Sequence, residues 1–359
     1  MNTFGHIFRM TSFGESHGEG VGVVIDGCPA GLKLDREFIQ SELDRRKPGT
    51  SRITTQRKES DTFELLSGHL NDVTTGTPLA FFVRNRNVRS QDYDHIARAF
   101  RPSHADYTYQ MKYGTRDHRG GGRSSARETI ARVIAGAVAK QLLQRAGDIR
   151  IEAWVESIQK IRLSSDPGEI MLESEFQQAT RCPDPETAEK MYHLIDETRK
   201  AGNSVGGVIK CRAHGVPVGW GEPIYHKLSS QLGAAMLGIN AVKGFEIGSG
   251  FSGTELYGSE HNDLFYQEDG EIRTRSNHAG GVLGGISSGE EINFRVAFKP
   301  TATIMQDQES VDEAGNPAVV QGKGRHDPCV VPRAVPIVEA MAAIVLADMW
   351  LLQRARDLS

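Results

Sequence analysis

Val335-Pro336-Ile337-Val338-Glu339-Ala340-Met341-Ala342-Ala343-Ile344-Val345-Leu346-Ala347-Asp348-Met349-Trp350-Leu351-Leu352 is the one long apolar run in a chain of 359 residues. Its length would suit a bilayer, but it carries Glu339 and Asp348 and follows a polar, glycine-rich stretch. Carboxylates at bilayer depth are costly, so the run reads as a buried core helix over 333–356 and no membrane span is expected. Upstream, Ile292, Phe294, Val296 and Phe298 alternate with Asn293, Arg295 and Ala297, the period-2 pattern of a strand with one buried face.

Working outward, helices are predicted over 35–46, 124–146, 185–201 and 226–239, and strands over 20–26, 63–70, 78–84, 149–155, 204–213 and 291–298. Asp35 is placed to cap a helix carrying Phe38, Ile39 and Leu43 on one side. Ser124-Ser125 with Glu128 resembles a capping box opening the second helix. Strands and helices do not alternate regularly, which disfavours a doubly wound parallel sheet. The expected class is α+β, antiparallel sheets packed around central helices. No Pro/Ser-rich linker divides the chain, so residues 1–359 are read as a single domain.

Composition excludes several function classes. Hydrophobic residues make up 38% and charged residues 25%, with a net charge of −4, an ordinary globular balance and the wrong sign for a dedicated nucleic-acid binder. The average hides an island: residues 84–132 hold eleven Arg or Lys against five acids, a local +6 that leaves −10 for the remainder. Ten of those eleven cations are Arg, which favours oriented recognition of carboxylate or phosphate over a generic solvated face. An RNA-binding module built on the island is opposed by sparse aromatics and by the acidic remainder. Cys28, Cys182, Cys211 and Cys329 form no C-x-x-C pair, so neither a disulfide framework nor structural zinc is expected. With no apolar leader before Phe4-Gly5-His6, a cytoplasmic protein is expected.

The chemistry-bearing segments follow one another along the chain. His17, in Phe13-Gly14-Glu15-Ser16-His17-Gly18, sits among small residues, and because an unperturbed imidazole has a pKa near ~6.5 it suits protonating a departing phosphate; the competing role is an ordinary loop histidine. Arg45, Arg46 and Arg52 flank a Pro48-Gly49 turn, though cations also suit a helix C-terminus for dipole reasons. In Arg101-Pro102-Ser103-His104-Ala105-Asp106, an extended backbone would put His104 and Asp106 on one face. Gly120-Gly121-Gly122-Arg123-Ser124-Ser125 before a helix start outlines an anion cradle, without the Gly-Lys-[Ser/Thr] ending of a Walker loop. The glycines of 280–289 lack the spacing of a dinucleotide fingerprint and read instead as close backbone approach to a flat ring. Lys299, Thr301 and Thr303 present a cation and two hydroxyls at a strand end. His326 and Asp327 lack further ligands at metal spacing, so no metal is expected.

In this order FGESHG (13–18), DRRKPGTSR (44–52), RSQDY (89–93), RPSHADYTY (101–109), RGGGRSSARET (119–129), NAVKG (240–244), SNHAGGVLGGISSG (276–289), KPTAT (299–303) and GRHDPC (324–329) closely resemble the chorismate synthase family. Only 150–235 is weakly diagnostic. The resemblance implies a β-α-β sandwich, usually a homotetramer. It implies a lyase of aromatic amino acid biosynthesis that converts 5-enolpyruvylshikimate 3-phosphate to chorismate by 1,4-anti elimination of phosphate and a C6 hydrogen. Reduced FMN is implied as cofactor with no net redox change. By motif, His17 would protonate the leaving phosphate, His104 would lie near flavin N1, and Asp327 would assist proton transfer at flavin N5. Arg46, Arg52, Arg101 and Arg127 would bind substrate. Arg123, Ser124, Ser125, Asn240, Ala241, Gly284, Lys299, Thr301, Thr303 and Arg325 would hold FMN. Ala302 stands where many relatives carry a hydroxyl, leaving the cofactor phosphate to Thr301 and Thr303. No long insertion of the kind expected of self-reducing relatives is present, so an external flavin reductant is expected, with NADPH only an indirect source. The alternative is an NADPH-dependent flavin oxidoreductase acting on an anionic substrate.

Overall fold

The alternation read in 291–298 becomes a strand of a five-stranded sheet, with Ile292, Phe294, Val296 and Phe298 buried and Arg295 on the other face between Glu156 and Glu246. The computed structural model describes residues 1–49, 51–54, 60–86, 98–118, 121–322 and 326–356. The first sheet comprises β1 (Thr3–Phe4), β2 (Arg9–Gly14), β3 (Gly20–Asp26), β4 (Phe63–Ser67) and β5 (Leu79–Arg84), ordered β1-β2-β3-β5-β4. The second comprises β6 (Arg150–Ile158), β7 (Ile161–Arg162), β8 (Gly207–His214), β9 (Val242–Ile247) and β10 (Ile292–Phe298), ordered β9-β10-β8-β6-β7. Every pairing in both sheets is antiparallel.

In chain order the helices of the described residues are α1 (Arg36–Arg46), α2 (Asp106–Tyr113), α3 (Thr129–Leu143), α4 (Glu175–Thr180), α5 (Pro185–Lys200), α6 (Leu228–Leu237), α7 (Gly258–His261) and α8 (Val331–Arg354), and α1, α3 and α8 run between the sheets. Helix α3 packs against β2, β3 and β5, and α8 against β6 and β8, while the two helices pack on each other. The result is the α+β sandwich expected from the sequence: sheet, helices, sheet. A buried apolar cluster runs from Val23 and Phe81 through Ile134 and Ile344 to Ile209 and Phe294. In α8, 94% of the most apolar window is buried inside the fold, and a core neighbour rather than lipid covers it. Close approach of the helices needs Gly136: a Cβ there would lie 2.3 Å from Ala340 Cβ.

Local signals worked where no distant partner competed. Asp35 caps α1 by accepting from Phe38 N at 2.9 Å. Two readings are corrected. Helix α3 starts at Thr129, because Ser125 caps a separate 3-10 turn, Ala126–Glu128. The Glu128 carboxylate does not return to the cap; it accepts from Ser12 Oγ at 3.0 Å and Arg132 Nε at 2.9 Å. The segment after Pro102 is not extended either: α2 (Asp106–Tyr113) begins at Asp106.

Candidate active site

The C-terminal end of α1, the loop before α2, the turns before α3, the Asn240-Ala241 turn, the chain leaving β10 and the start of α8 converge on one cavity of about 360 Å³. Arg46, Arg101, His104, Ser124, Ser125, Arg127, Asn240, Ala241, Lys299, Thr301, Thr303 and Asp327 line it. Segments separated by hundreds of residues therefore present the anticipated side chains to one space.

The cations are held from behind. Arg101 grips Asp106 through Nε and Nη2 at 2.8 and 2.7 Å, and Asp106 Oδ2 also accepts from Arg101 N at 3.0 Å. Burial raises the Asp106 carboxyl, but the hydrogen bonds and charge of Arg101 outweigh it and hold it below the ordinary range. Asp106 is thus an anchor for Arg101 and not an orienter of His104. Arg46 and Arg127 both reach Asp61, at 3.3 and 3.0 Å. Burial pushes the Arg46 guanidinium down to about 10, against the pull of Asp61, so it is cationic at neutral pH. Lys299 Nζ donates to the Ser103 carbonyl at 3.0 Å.

His104 has a defined tautomer. Its Nδ1 lies 3.0 Å from the Pro102 carbonyl, which can only accept, so Nδ1 carries the proton. Nε2, 2.8 Å from Thr303 Oγ1, then accepts from that hydroxyl. Burial, followed by the nearby Arg101 charge, lowers the His104 pKa below its usual 6.5, so the ring is neutral at physiological pH.

Several anticipated residues lie off this cavity. His17 sits in the β2–β3 turn, buried, with Nδ1 3.1 Å from Ser16 Oγ. Asn85 joins that turn to the cavity: its Nδ2 donates to the Glu15 and Gly18 carbonyls at 2.9 Å each, and its Oδ1 accepts from Arg127 Nε. The Arg123 side chain turns to β2, donating to the Gly14 carbonyl at 3.0 Å and Ser12 Oγ at 2.7 Å. Gly284 lies in a hairpin between Val282–Leu283 and Ile286–Ser287, and Arg52 is exposed. Arg325 lies outside the described residues.

The sequence reading missed Arg333 and Asp61. Arg333 lines the cavity, pairs with Asp327 and donates through Nε to the Arg46 carbonyl at 3.3 Å. A signal existed, since a cation in the first turn of a helix opposes the helix dipole and asks for a local reason. For Asp61 no local signal is visible.

The donor set suits a polar ring system with a phosphate. Among the described residues Asn240 Oδ1, Thr301 Oγ1 and Arg46 Nε are buried at the cavity wall with no hydrogen-bond partner, although Asn240 Nδ2 donates to the Ser124 carbonyl at 2.8 Å. Buried polar atoms without partners are costly unless a ligand or water completes them. Among the described residues no cluster of three His, Cys, Asp or Glu side chains could hold a metal.

Comparison with known proteins agrees in one direction. The sequence model of the family described as Chorismate synthase matches residues 8–351. A chorismate synthase of Cytophaga hutchinsonii is 59% identical over 355 residues, covering 99% of this chain and 98% of that protein. One of Parabacteroides distasonis is 56% identical over 357 residues, covering 99% of each. A solved structure titled "Crystal Structure of Chorismate Synthase" superposes with a TM-score of 0.75 at 34% identity, covering 97% of this chain and 93% of that one.

Proposed function

The chain belongs to the chorismate synthase family, and from that premise we propose that the cavity binds 5-enolpyruvylshikimate 3-phosphate beside reduced FMN. The reaction is a carbon–oxygen lyase step of the shikimate pathway. Phosphate leaves, a C6 proton is removed, and the electrons of that C–H bond form the new diene of chorismate, so the atoms balance without net oxidation. The observation that carries the reading is the convergence of Arg46, Arg101, Arg127, Lys299 and Arg333 on one space beside His104, whose Nδ1 is held by the Pro102 carbonyl. A substrate with two carboxylates and a phosphate needs several oriented cations, and arginine forks supply them.

When bound, reduced FMN supplies electron density to the allylic system. Ser124, Ser125, Asn240, Ala241, Lys299, Thr301 and Thr303 would hold it, which is supported by the unpartnered Asn240 Oδ1 and Thr301 Oγ1. Arg46, Arg101 and Arg127 orient the substrate anion, and Asp327, held by its ion pair with Arg333, handles a proton. His17 protonates the departing phosphate; the link of its turn to Arg127, made by Asn85 through the Glu15 and Gly18 carbonyls, supports that role, which requires the β2–β3 turn to face the phosphate. General acid help of this kind is worth roughly 10²–10⁴ in rate.

The chain acts as a single domain, a reading supported by its continuous core, and its expected setting is the cytoplasm with an external flavin reductant. Exposed Phe251, Tyr257, Phe265 and Ile272 are apolar surface that self-association would cover, in keeping with the homotetramer that the resemblance implies. The test is anaerobic phosphate release from 5-enolpyruvylshikimate 3-phosphate with chemically reduced FMN. Release at catalytic flavin without NADPH is expected. Stoichiometric NADPH consumption, or no release, refutes the reading.

A further inference from the structure

Two guanidinium groups at the cavity share one carboxylate. Asp61 Oδ2 lies 3.3 Å from Arg46 Nη2 and Oδ1 lies 3.0 Å from Arg127 Nη1, and none of the Asp61 side chain is exposed. Arg46 comes from the end of α1 and Arg127 from the turn before α3, so Asp61 joins two separate elements at their functional ends. Two buried like charges this close would otherwise repel strongly. The Asp61 backbone is itself unusual, with a left-handed φ of 45°, and its carbonyl accepts from Gln40 Nε2 of α1 at 3.5 Å. Strain of that kind at a non-glycine residue persists where the surroundings over-determine it.

We propose that Asp61 is a positioning residue that sets the orientation of Arg46 and Arg127 toward the anionic groups of the substrate. The inference rests on the reading that those two arginines bind substrate. Asp61 takes one contact from each fork; Arg46 also donates through Nη1 to the Ala126 carbonyl and Thr129 Oγ1 at 3.4 and 3.3 Å, and Arg127 through Nε to Asn85 Oδ1, so the shared carboxylate is the anchor common to both guanidinium planes. Among the described residues, one carboxylate faces these two cations, and Arg333 and Asp327, which also act on Arg46, pair with each other.

The test compares Asp61→Asn, Asp61→Glu and Arg127→Lys in the full-length enzyme. Asparagine tolerates the positive φ and keeps the shape while removing the charge. Glutamate keeps the charge and moves the carboxylate by one methylene, so it carries the test if the buried cations prevent Asp61→Asn from folding. Substrate affinity is read twice: as KM under reducing anaerobic conditions, and by titration calorimetry of 5-enolpyruvylshikimate 3-phosphate with oxidised FMN present. Both Asp61 variants should raise KM and Kd roughly ten- to hundredfold with kcat changed far less. The Asp61→Asn/Arg127→Lys double variant should lose less than the product of the single losses, because the two act as one unit. Unchanged affinity in a folded Asp61 variant, or independent multiplying effects, overturns the proposal. If Arg127→Lys weakens binding while the Asp61 variants do not, only the positioning role fails. If Arg127→Lys also leaves KM and Kd unchanged, the substrate-binding reading fails with it.

Discussion

Glu339→Gln should unfold this protein far more readily than its position in an apolar helix suggests. Glu339, 4% exposed, accepts from Arg45 Nη1 at 2.7 Å, Arg45 Nη2 at 2.9 Å, Lys140 Nζ at 2.8 Å and Ala153 N at 3.2 Å. Glu42 shares the same cations, at 2.7 Å from Arg45 Nη1 and 2.6 Å from Lys140 Nζ. Two acids thus balance two bases where α1, α3, α8 and β6 meet. Glutamine would leave one carboxylate against two buried cations and turn an amide N–H toward their donors. Breaking a buried pair from one side costs about 3–5 kcal/mol. The titration has the same sign: burial pushes the Glu339 carboxyl up, but Lys140 and Arg45 together outweigh it and hold it well below the ordinary 4.5. Because the folded pKa is depressed, this stability is fully present above the unfolded value near ~4.3 and is lost as pH falls toward about 2. Urea unfolding of both proteins at pH 7 and at steps below pH 5 measures it. The difference should be largest at pH 7 and shrink with acidification. A difference under about 1 kcal/mol at pH 7, or one that persists unchanged at pH 2–3, would refute the reasoning.

Three other outcomes are expected. Gly136→Ala gains about 1 kcal/mol of helix propensity but sets a methyl 2.4 Å from Ala340 Cα, so net destabilisation of roughly 1–3 kcal/mol should appear in the urea midpoint; a stabilised variant would contradict the packing. Asp348→Ala removes the acceptor of His6, Ile7 and Phe8 N–H at 2.9, 2.7 and 3.0 Å, so those amides should lose hydrogen-exchange protection; unchanged protection would show that the carboxylate is dispensable. Asp327→Asn should cut kcat by at least about tenfold with KM less affected and should alter the C6 deuterium effect, whereas an unchanged rate and isotope effect would remove Asp327 from proton handling.

Much of the architecture was readable before folding. The 292–298 alternation, the Asp35 cap and the 335–352 apolar run each carry their message within a few consecutive residues, because backbone periodicity selects which side chains share a face. The site was readable less evenly. Glycine, arginine and hydroxyl clusters announced an anion pocket, but not which arginines would enter it: Arg123 turns to β2, while Arg333 lines the cavity. Asp106 sits two residues from His104, yet α2 begins there and the carboxylate takes Arg101 instead.

The two acids in the last helix mark the division between chain and fold. Local sequence alone showed that Glu339 and Asp348 do not belong in lipid, and so that the helix is a core element. It could not show that Glu339 meets Arg45 and Lys140, or that Asp348 meets the backbone of His6, Ile7 and Phe8. Helix and strand periods act over a few residues, whereas an ion pair depends on distance in space and on how much water is excluded. Both become defined only when the two sheets close over the helices.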